Sequence, residues 1–196
     1  MWNRRRLLAA FAAAGLTGLA GCSRDELAAL HGSNLSGSRM GMDFSLQGPD
    51  GRTVALSDFR GKVVLLFFGF TQCPDICPTA LARAAQVRSL LGDDAGQLQV
   101  LFITLDPARD TPDIMQAYTR VFDPSFIGLR GTQAQIDEVA QAFKVFYMRV
   151  PAGDSYTIDH TTFSYLYDRD GRLRVGLRHD QSAHEYADDV RRLLSL

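Results

Sequence analysis

The sequence predicts an α/β fold, a mixed central sheet flanked by helices on both faces. Three observations carry this. Residues 62–70 (KVVLLFFGF) and 98–106 (LQVLFITLD) are continuous apolar runs rich in β-branched and aromatic side chains, the pattern of strands buried on both faces. Stretches of helical period separate the strand candidates, as crossover helices do between parallel strands. The last third changes character to a hairpin pattern, with its turn at 168–171, and a final helix.

The elements follow in order. Residues 43–59 (DFSLQGPDGRTVALSDF) form two short strands around a Gly48-Pro49-Asp50-Gly51 turn, an N-terminal hairpin extension. After the first apolar run, Pro78 suits the first turn of a helix, where a missing N–H costs nothing. Ala80, Ala84, Val87 and Leu91 share one face of that helix, and Gly92 stops it. Thr111-Pro112 caps and begins a second helix with Ile114, Tyr118 and Val121 as its apolar stripe. SFIGLRG is a short strand. Thr132 and Gln135 form a capping box for a helix that turns Ile136, Val139, Ala140 and Phe143 inward. KVFYMRV is a strand followed by a polar loop around Gly153. Ser182 and Glu185 box the last helix, which buries Tyr186, Val190 and Leu193.

The first 41 residues stand apart from this domain of 42–196. Arg4 to Arg6 precede a short Ala/Leu/Phe run and then small residues, the layout of an export signal over 1–21. The run is too short and too rich in Ala and Gly for a comfortable membrane span. Asn3-Arg4-Arg5-Arg6-Leu7-Leu8 also resembles a twin-arginine signal, and the two export routes stay open. Leu19-Ala20-Gly21-Cys22 resembles the bacterial lipobox, which implies cleavage before Cys22 and its lipidation. Residues 22–41, small and polar, are expected to be a tether, with His31 solvated in it. The chain is then a lipid-anchored protein on the periplasmic face of a bacterial membrane. Its net charge of −1 offers no basic field for nucleic acid.

Export bears on the cysteines. With Cys22 used for lipid, Cys73 and Cys77 remain, in an oxidising compartment. They lie where a central strand ends and a helix begins, the edge of an α/β sheet where function concentrates. Free N–H groups at a helix start favour a thiolate. A thiolate suits disulfide exchange and metal binding alike, so position does not choose between them. The spacing of three residues (Pro74, Asp75, Ile76) differs from the two of common redox pairs. It lets both sulfurs face one centre, and two thiolates favour Cu(I) or zinc with a third ligand. Of the four histidines, His179 and His184 lie in polar surroundings, and only His160 immediately precedes a core strand, in a loop expected beside the cysteines. A thioredoxin-type reductase carries a proline at that point, and His160 stands there instead.

FGFTQCPDICPTAL, TLDPARDTP and DHTTFSYLYDRDG, in this order and spacing, resemble the Sco/SenC family from about Met42 to the C-terminus. These are membrane-tethered copper proteins of thioredoxin-like fold, tied to assembly of the binuclear copper centre of cytochrome c oxidase. The resemblance implies that Cys73, Cys77 and His160 hold one copper ion, as Cu(I) or Cu(II). It implies the oxidase's copper-centre subunit as partner, with a periplasmic copper donor and a thiol reductant beside it. Many relatives have histidine where this chain has Gln72. Asp159 is a candidate hydrogen-bond acceptor for His160, with a turn role as the alternative. Asp106, beside Pro107, is a candidate lining residue, and Asp75 a candidate for tuning charge. Met148 is expected to pack, as are Phe67, Phe68 and Phe70. The alternative function is a thiol–disulfide reductase acting on the oxidase's own copper-ligand cysteines. A peroxidase is a poorer match to a cysteine pair.

Overall fold

The structure, a computed structural model, describes Leu27 and residues 29–196. The expected leader and the Cys22 lipidation site lie outside the described residues. In chain order the strands are β1 (Ser33–Asn34), β2 (Ser45–Gln47), β3 (Thr53–Ala55), β4 (Val63–Gly69), β5 (Leu98–Thr104), β6 (Ile127–Leu129), β7 (Tyr147–Ala152), β8 (Ser155–His160), β9 (Ser164–Tyr167) and β10 (Leu173–Leu177). The helices are α1 (Ile76–Leu91), α2 (Pro112–Phe122), α3 (Gln133–Ala142) and α4 (Ala183–Leu194).

Six strands form one mixed sheet in the order β1-β10-β9-β4-β5-β6. β4, β5 and β6 run parallel, and β9, β10 and β1 add antiparallel at the other side. Every residue of β4 and β5 is buried, as their unbroken apolar runs predict. Alternation along β4 assigns the two faces. Phe67 stacks on Phe102, which meets Tyr118 of α2, while Phe68 packs edge-on against Phe143 and Tyr165. α1 and α4 pack on each other. Tyr186 of α4 reaches Ser164, whose strand partner is Phe67, so α4 shares that residue's face. The opposite face is closed by Phe143, which follows α3. Among the described residues no helix is long and apolar enough to cross a membrane.

The expected β2–β3 hairpin forms, and a bridge from Gln47 to Arg130 joins it to the end of β6. Both capping boxes form as the sequence predicts, at Thr132/Gln135 and Ser182/Glu185.

Three expectations change. The tether reading does not hold for the second half of 22–41. β1 pairs with β10 at the sheet edge, and Leu35 N donates to Arg174 O at 2.8 Å. His31 N and Gly32 N both donate to the buried Asp189 carboxylate of α4 at 2.9 Å. Gly41 has φ +51°, where a side chain would strike Phe143 and the Tyr167 hydroxyl. Its carbonyl accepts from that hydroxyl at 2.7 Å. Backbone groups make most of these bonds, so a polar composition conceals them. Second, α2 turns Met115 and Thr119 inward and leaves Ile114 and Val121 exposed. Its close approach to Gly128 of β6 seats Met115 against the strand, and the Thr119 hydroxyl is satisfied by Met115 O at 3.0 Å. Third, the segment after Gly153 is no loop. It is β8, which pairs with β7 from Tyr147↔His160 to Ala152↔Ser155.

Replacing Asp189 with alanine strips two backbone donors of their acceptor. The expected loss is about 2 kcal/mol in urea unfolding, with faster hydrogen exchange over residues 31–35. Parent-like exchange there would show that the segment is held by other contacts.

Candidate metal centre

β4 delivers the chain to a loop, residues 70–75, and α1 begins at Ile76. Cys73 sits half-buried in the loop, and Cys77 is buried in the first turn of the helix. An amide of that turn is otherwise free, and Cys77 N donates to Cys73 Sγ at 3.4 Å. His160 ends β8 and reaches across to the same point. Its Nε2 lies 3.8 Å from Cys77 Sγ, and the three donor atoms are all within 4.8 Å of one another. A three-coordinate soft ion with bonds of about 2.0–2.3 Å separates its ligands by about 3.7 Å. The His160–Cys77 separation already matches this, and the widest separation, within 4.8 Å, would need to close by no more than about 1 Å.

The imidazole is oriented by a backbone group. His160 Nδ1 is 2.8 Å from Thr161 O, and a carbonyl only accepts, so Nδ1 carries the proton and the Nε2 lone pair points into the cluster, where a metal could take it. Phe67 and Phe70 hold the ring edge-on, with centroids 6.1 and 6.2 Å away.

The profile of the SCO1/SenC family matches residues 32–195. The chain belongs to the SCO1/SenC family. The match begins at β1, in keeping with a domain that includes it. An SCO2-like protein of Rickettsia felis is 39% identical over 150 residues, 75% of this chain and 73% of its own. The mitochondrial SCO2 homolog of Bos taurus is 42% identical over 154 residues, 76% of this chain and 58% of that one. Among solved structures, Bradyrhizobium japonicum ScoI with copper bound is 40% identical with a TM-score of 0.73, covering 79% of this chain and 99% of its own. Apo Sco1 of Thermus thermophilus is 36% identical with a TM-score of 0.73, covering 85% and 97%. The thioredoxin-like class is thereby established.

Around the SCO1/SenC cluster, the other candidates separate. Asp159 is exposed and makes no hydrogen bond to His160, because the Thr161 carbonyl occupies that role. Residues paired in register share a face, so Met148, opposite Asp159, projects from the face away from His160. Asp75 is exposed at the helix start, lines the cleft beside Cys73, and makes no capping bond with its side chain. Asp106 does not line the cleft. It is fully buried, accepts from Arg109 Nε, and accepts from Tyr156 OH at 2.8 Å. Gln72 and His184 are exposed, and His179 is half-buried outside the cluster.

Two residues escaped the sequence reading. A Cβ on Gly69 would lie 2.6 Å from Cys77 Sγ and 2.8 Å from the Phe102 ring. Glycine is what lets the sulfur sit over the strand end. Asp110, within TLDPARDTP, accepts from Thr71 in the cysteine loop through both oxygens. The motif was the available signal, but its partner lies 39 residues away.

The cysteines are electrostatically unequal. The Cys77 thiol donates to Cys73 and pulls the Cys73 pKa down to about 3. The amides of Cys77 and Asp75 assist, against the opposing effect of burial. Cys77 moves the other way, well above the ordinary thiol range, because it keeps the shared proton, is buried, and faces the Cys73 charge. The reduced pair is one accessible thiolate beside one enclosed thiol.

Alkylation with iodoacetamide should therefore modify Cys73 first. Its rate at pH 5 should be within about twofold of that at pH 7. An ordinary thiol of pKa near 8.5 would slow about a hundredfold over that interval. Peptide mapping would expose the opposite order, or a steep pH dependence, as a contradiction.

Proposed function

We propose that this protein binds one copper ion through Cys73, Cys77 and His160 and passes it to the copper-centre subunit of cytochrome c oxidase. The observation that carries this reading is the three-donor cluster, within 4.8 Å, in a chain 40% identical to a ScoI solved with copper bound. Two thiolates and a neutral imidazole suit Cu(I) in trigonal geometry, and an added oxygen ligand or water suits Cu(II). Loading displaces the Cys77 proton. A three-coordinate ion at an open cleft leaves a face for an incoming ligand, so the metal moves by stepwise exchange without ever being free. A disulfide between Cys73 and Cys77 consumes both sulfurs, so loading depends on redox state.

We also propose that the chain is exported and lipidated at Cys22, which places the centre near a membrane-bound recipient on the periplasmic side. A periplasmic copper donor and a thiol reductant complete the scheme. Cys22→Ser should shift the protein from the membrane to the soluble fraction. Equal membrane retention would exclude lipid as the anchor.

The asymmetry of the thiols favours a second reading, reduction of the oxidase's own cysteines. The Cys73 thiolate attacks one sulfur of the partner disulfide and expels the other as a thiolate. Cys77, giving up its proton, then attacks Cys73 and releases the partner fully reduced, leaving the Cys73–Cys77 disulfide. One set of measurements separates the readings. The reduced protein should take up one copper, and His160→Ala should weaken Cu(II) binding by about a hundredfold or more. His160→Ala with parent copper affinity and spectrum sinks the ligand assignment. Disulfide turnover lost in Cys73→Ser and kept in His160→Ala would favour the reductase.

A further inference from the structure

The metal cluster is assembled from two bodies. The cysteines ride on β4 and α1, which belong to the central sheet and its packed helix. His160 rides on the β7–β8 hairpin, which shares no ladder with that sheet. The hairpin is fixed at its base where Tyr147 OH accepts from Gln133 at 2.7 Å and donates to Asp137. That contact lies beside Phe146 and Thr161 and leaves the outer half of the hairpin to be held elsewhere.

The outer half is held by the turn 106–110, which follows β5. Tyr156 OH donates to Asp106 Oδ1 at 2.8 Å. Arg109 donates to Asp106 and, through Nη1, to Tyr156 O at 2.8 Å, and its guanidinium carbon lies 3.7 Å from the Tyr156 ring centroid. Tyr156 and His160 are four residues apart on one strand, so they share a face. Drawing Tyr156 onto Asp106 therefore draws the imidazole side of β8 toward the body. The same turn holds the cysteine loop. Asp110 accepts from Thr71 Oγ1 at 2.6 Å and from Thr71 N at 3.1 Å, two residues before Cys73. Thr104 links the two residues, donating to the Asp110 carboxylate and accepting from the Asp106 backbone N at 2.9 Å. Arg130 braces the turn from behind, donating to Asp110 O and Pro107 O, each at 3.1 Å. Asp106 and Asp110 are both fully buried, which makes them fixed acceptors rather than surface charges.

We propose that the turn 106–110 sets the separation of the two halves of the centre, Asp110 positioning the cysteine loop through Thr71 and Asp106 positioning the histidine arm through Tyr156. Tyr156 and Thr71 are positioning residues, since neither touches the metal site. The Tyr156 bond is the releasable one. Its acceptor, Asp106, also pairs with Arg149 of β7 at 3.8 Å, and the hairpin's ties to the body are mostly polar contacts of this kind, whereas Thr71 is bound twice beside the packed end of β4. This assignment rests on the copper reading for its consequence, faster or slower release of the ion, but the geometry is testable without metal.

Tyr156→Phe keeps the ring on Arg109 and removes only the hydroxyl. Its expected effects are hydrogen exchange about tenfold faster over 155–160 in the metal-free protein, and copper loss to a chelator about tenfold faster. Its Cys73 alkylation rate should match the parent. Thr71→Val should do the reverse, altering Cys73 alkylation by severalfold with parent-like exchange over 155–160. A general loss of stability would change both readouts in both variants, and that result overturns the proposal. Parent-like exchange over 155–160 in Tyr156→Phe overturns it whether or not the protein binds copper. Failure of the parent to bind copper would sink the functional reading and leave the exchange test standing.

Discussion

The parallel pairing of β4 with β5 is the constraint on which the rest depends. The seven registered pairs from Val63↔Leu98 to Gly69↔Thr104 bring both strands to an end at one level. Leu105 N still donates to Gly69 O at 2.7 Å, so the ladder continues one step past the strands. The cysteine loop and the turn 106–110 therefore leave the sheet side by side. Every residue of the two strands is buried, and a slip of one residue would send each side chain to the wrong face. Register is thus fixed by the whole core, and the site inherits that precision. Gly69, the last residue of β4, makes the inheritance direct, because the Cys77 sulfur packs on its Cα where any side chain would stand.

On that rigid floor the electrostatics are asymmetric by position alone. Cys73 is in the loop, within reach of helix amides and partly open. Cys77 is one turn on, under the protein surface, with Cys73 as its partner. Neither residue type nor spacing distinguishes them, and depth does. The consequence is an accessible nucleophile backed by a protected proton donor. In the copper reading this is a site half-deprotonated before the ion arrives. In the reductase reading it is an attacking and a resolving thiol.

What the sequence disclosed and what it withheld divide along physical lines. Buried runs, capping boxes at Thr132 and Ser182, and the helix start at Thr111-Pro112 are local, and each was legible. The three donors were legible because cysteine and histidine are chemically distinctive. The Thr161 carbonyl that orients His160 was not, since every residue has a carbonyl. The α2 face was misjudged because a buried threonine satisfied by its own helix looks polar in sequence, and because the decisive contact is Gly128, on another element. Residues 31–35 looked like a tether because their partners, the Asp189 carboxylate for 31–32 and the backbone of β10 for 33–35, lie more than 130 residues away. β8 does alternate, with Tyr156, Ile158 and His160 inward and Ser155 and Asp159 exposed, but six residues beside the polar Gly153 turn, paired only with β7, carry too short a pattern to stand out in the sequence.

A centre that hands on a tightly bound ion has opposed requirements. It needs ligands placed well enough to capture the metal, and at least one that withdraws without unfolding the domain. A site built wholly within the sheet meets the first and fails the second, since close-packed interiors resist displacement. Here the ligands are divided. The two sulfurs belong to the packed floor, and the imidazole belongs to a hairpin whose inner contacts include few buried side chains, Ile158 being its single fully enclosed apolar residue. The hairpin's remaining ties are hydrogen bonds, an ion pair from Arg149 to the buried Asp106, and a guanidinium on an aromatic face, which are fewer and more easily exchanged than the close packing of the sheet. Withdrawal of His160 would thus leave the core intact and the metal on two thiolates, open to the next ligand. In the copper reading, dividing the donors between a rigid and a lightly held element would make capture and release compatible in one small domain.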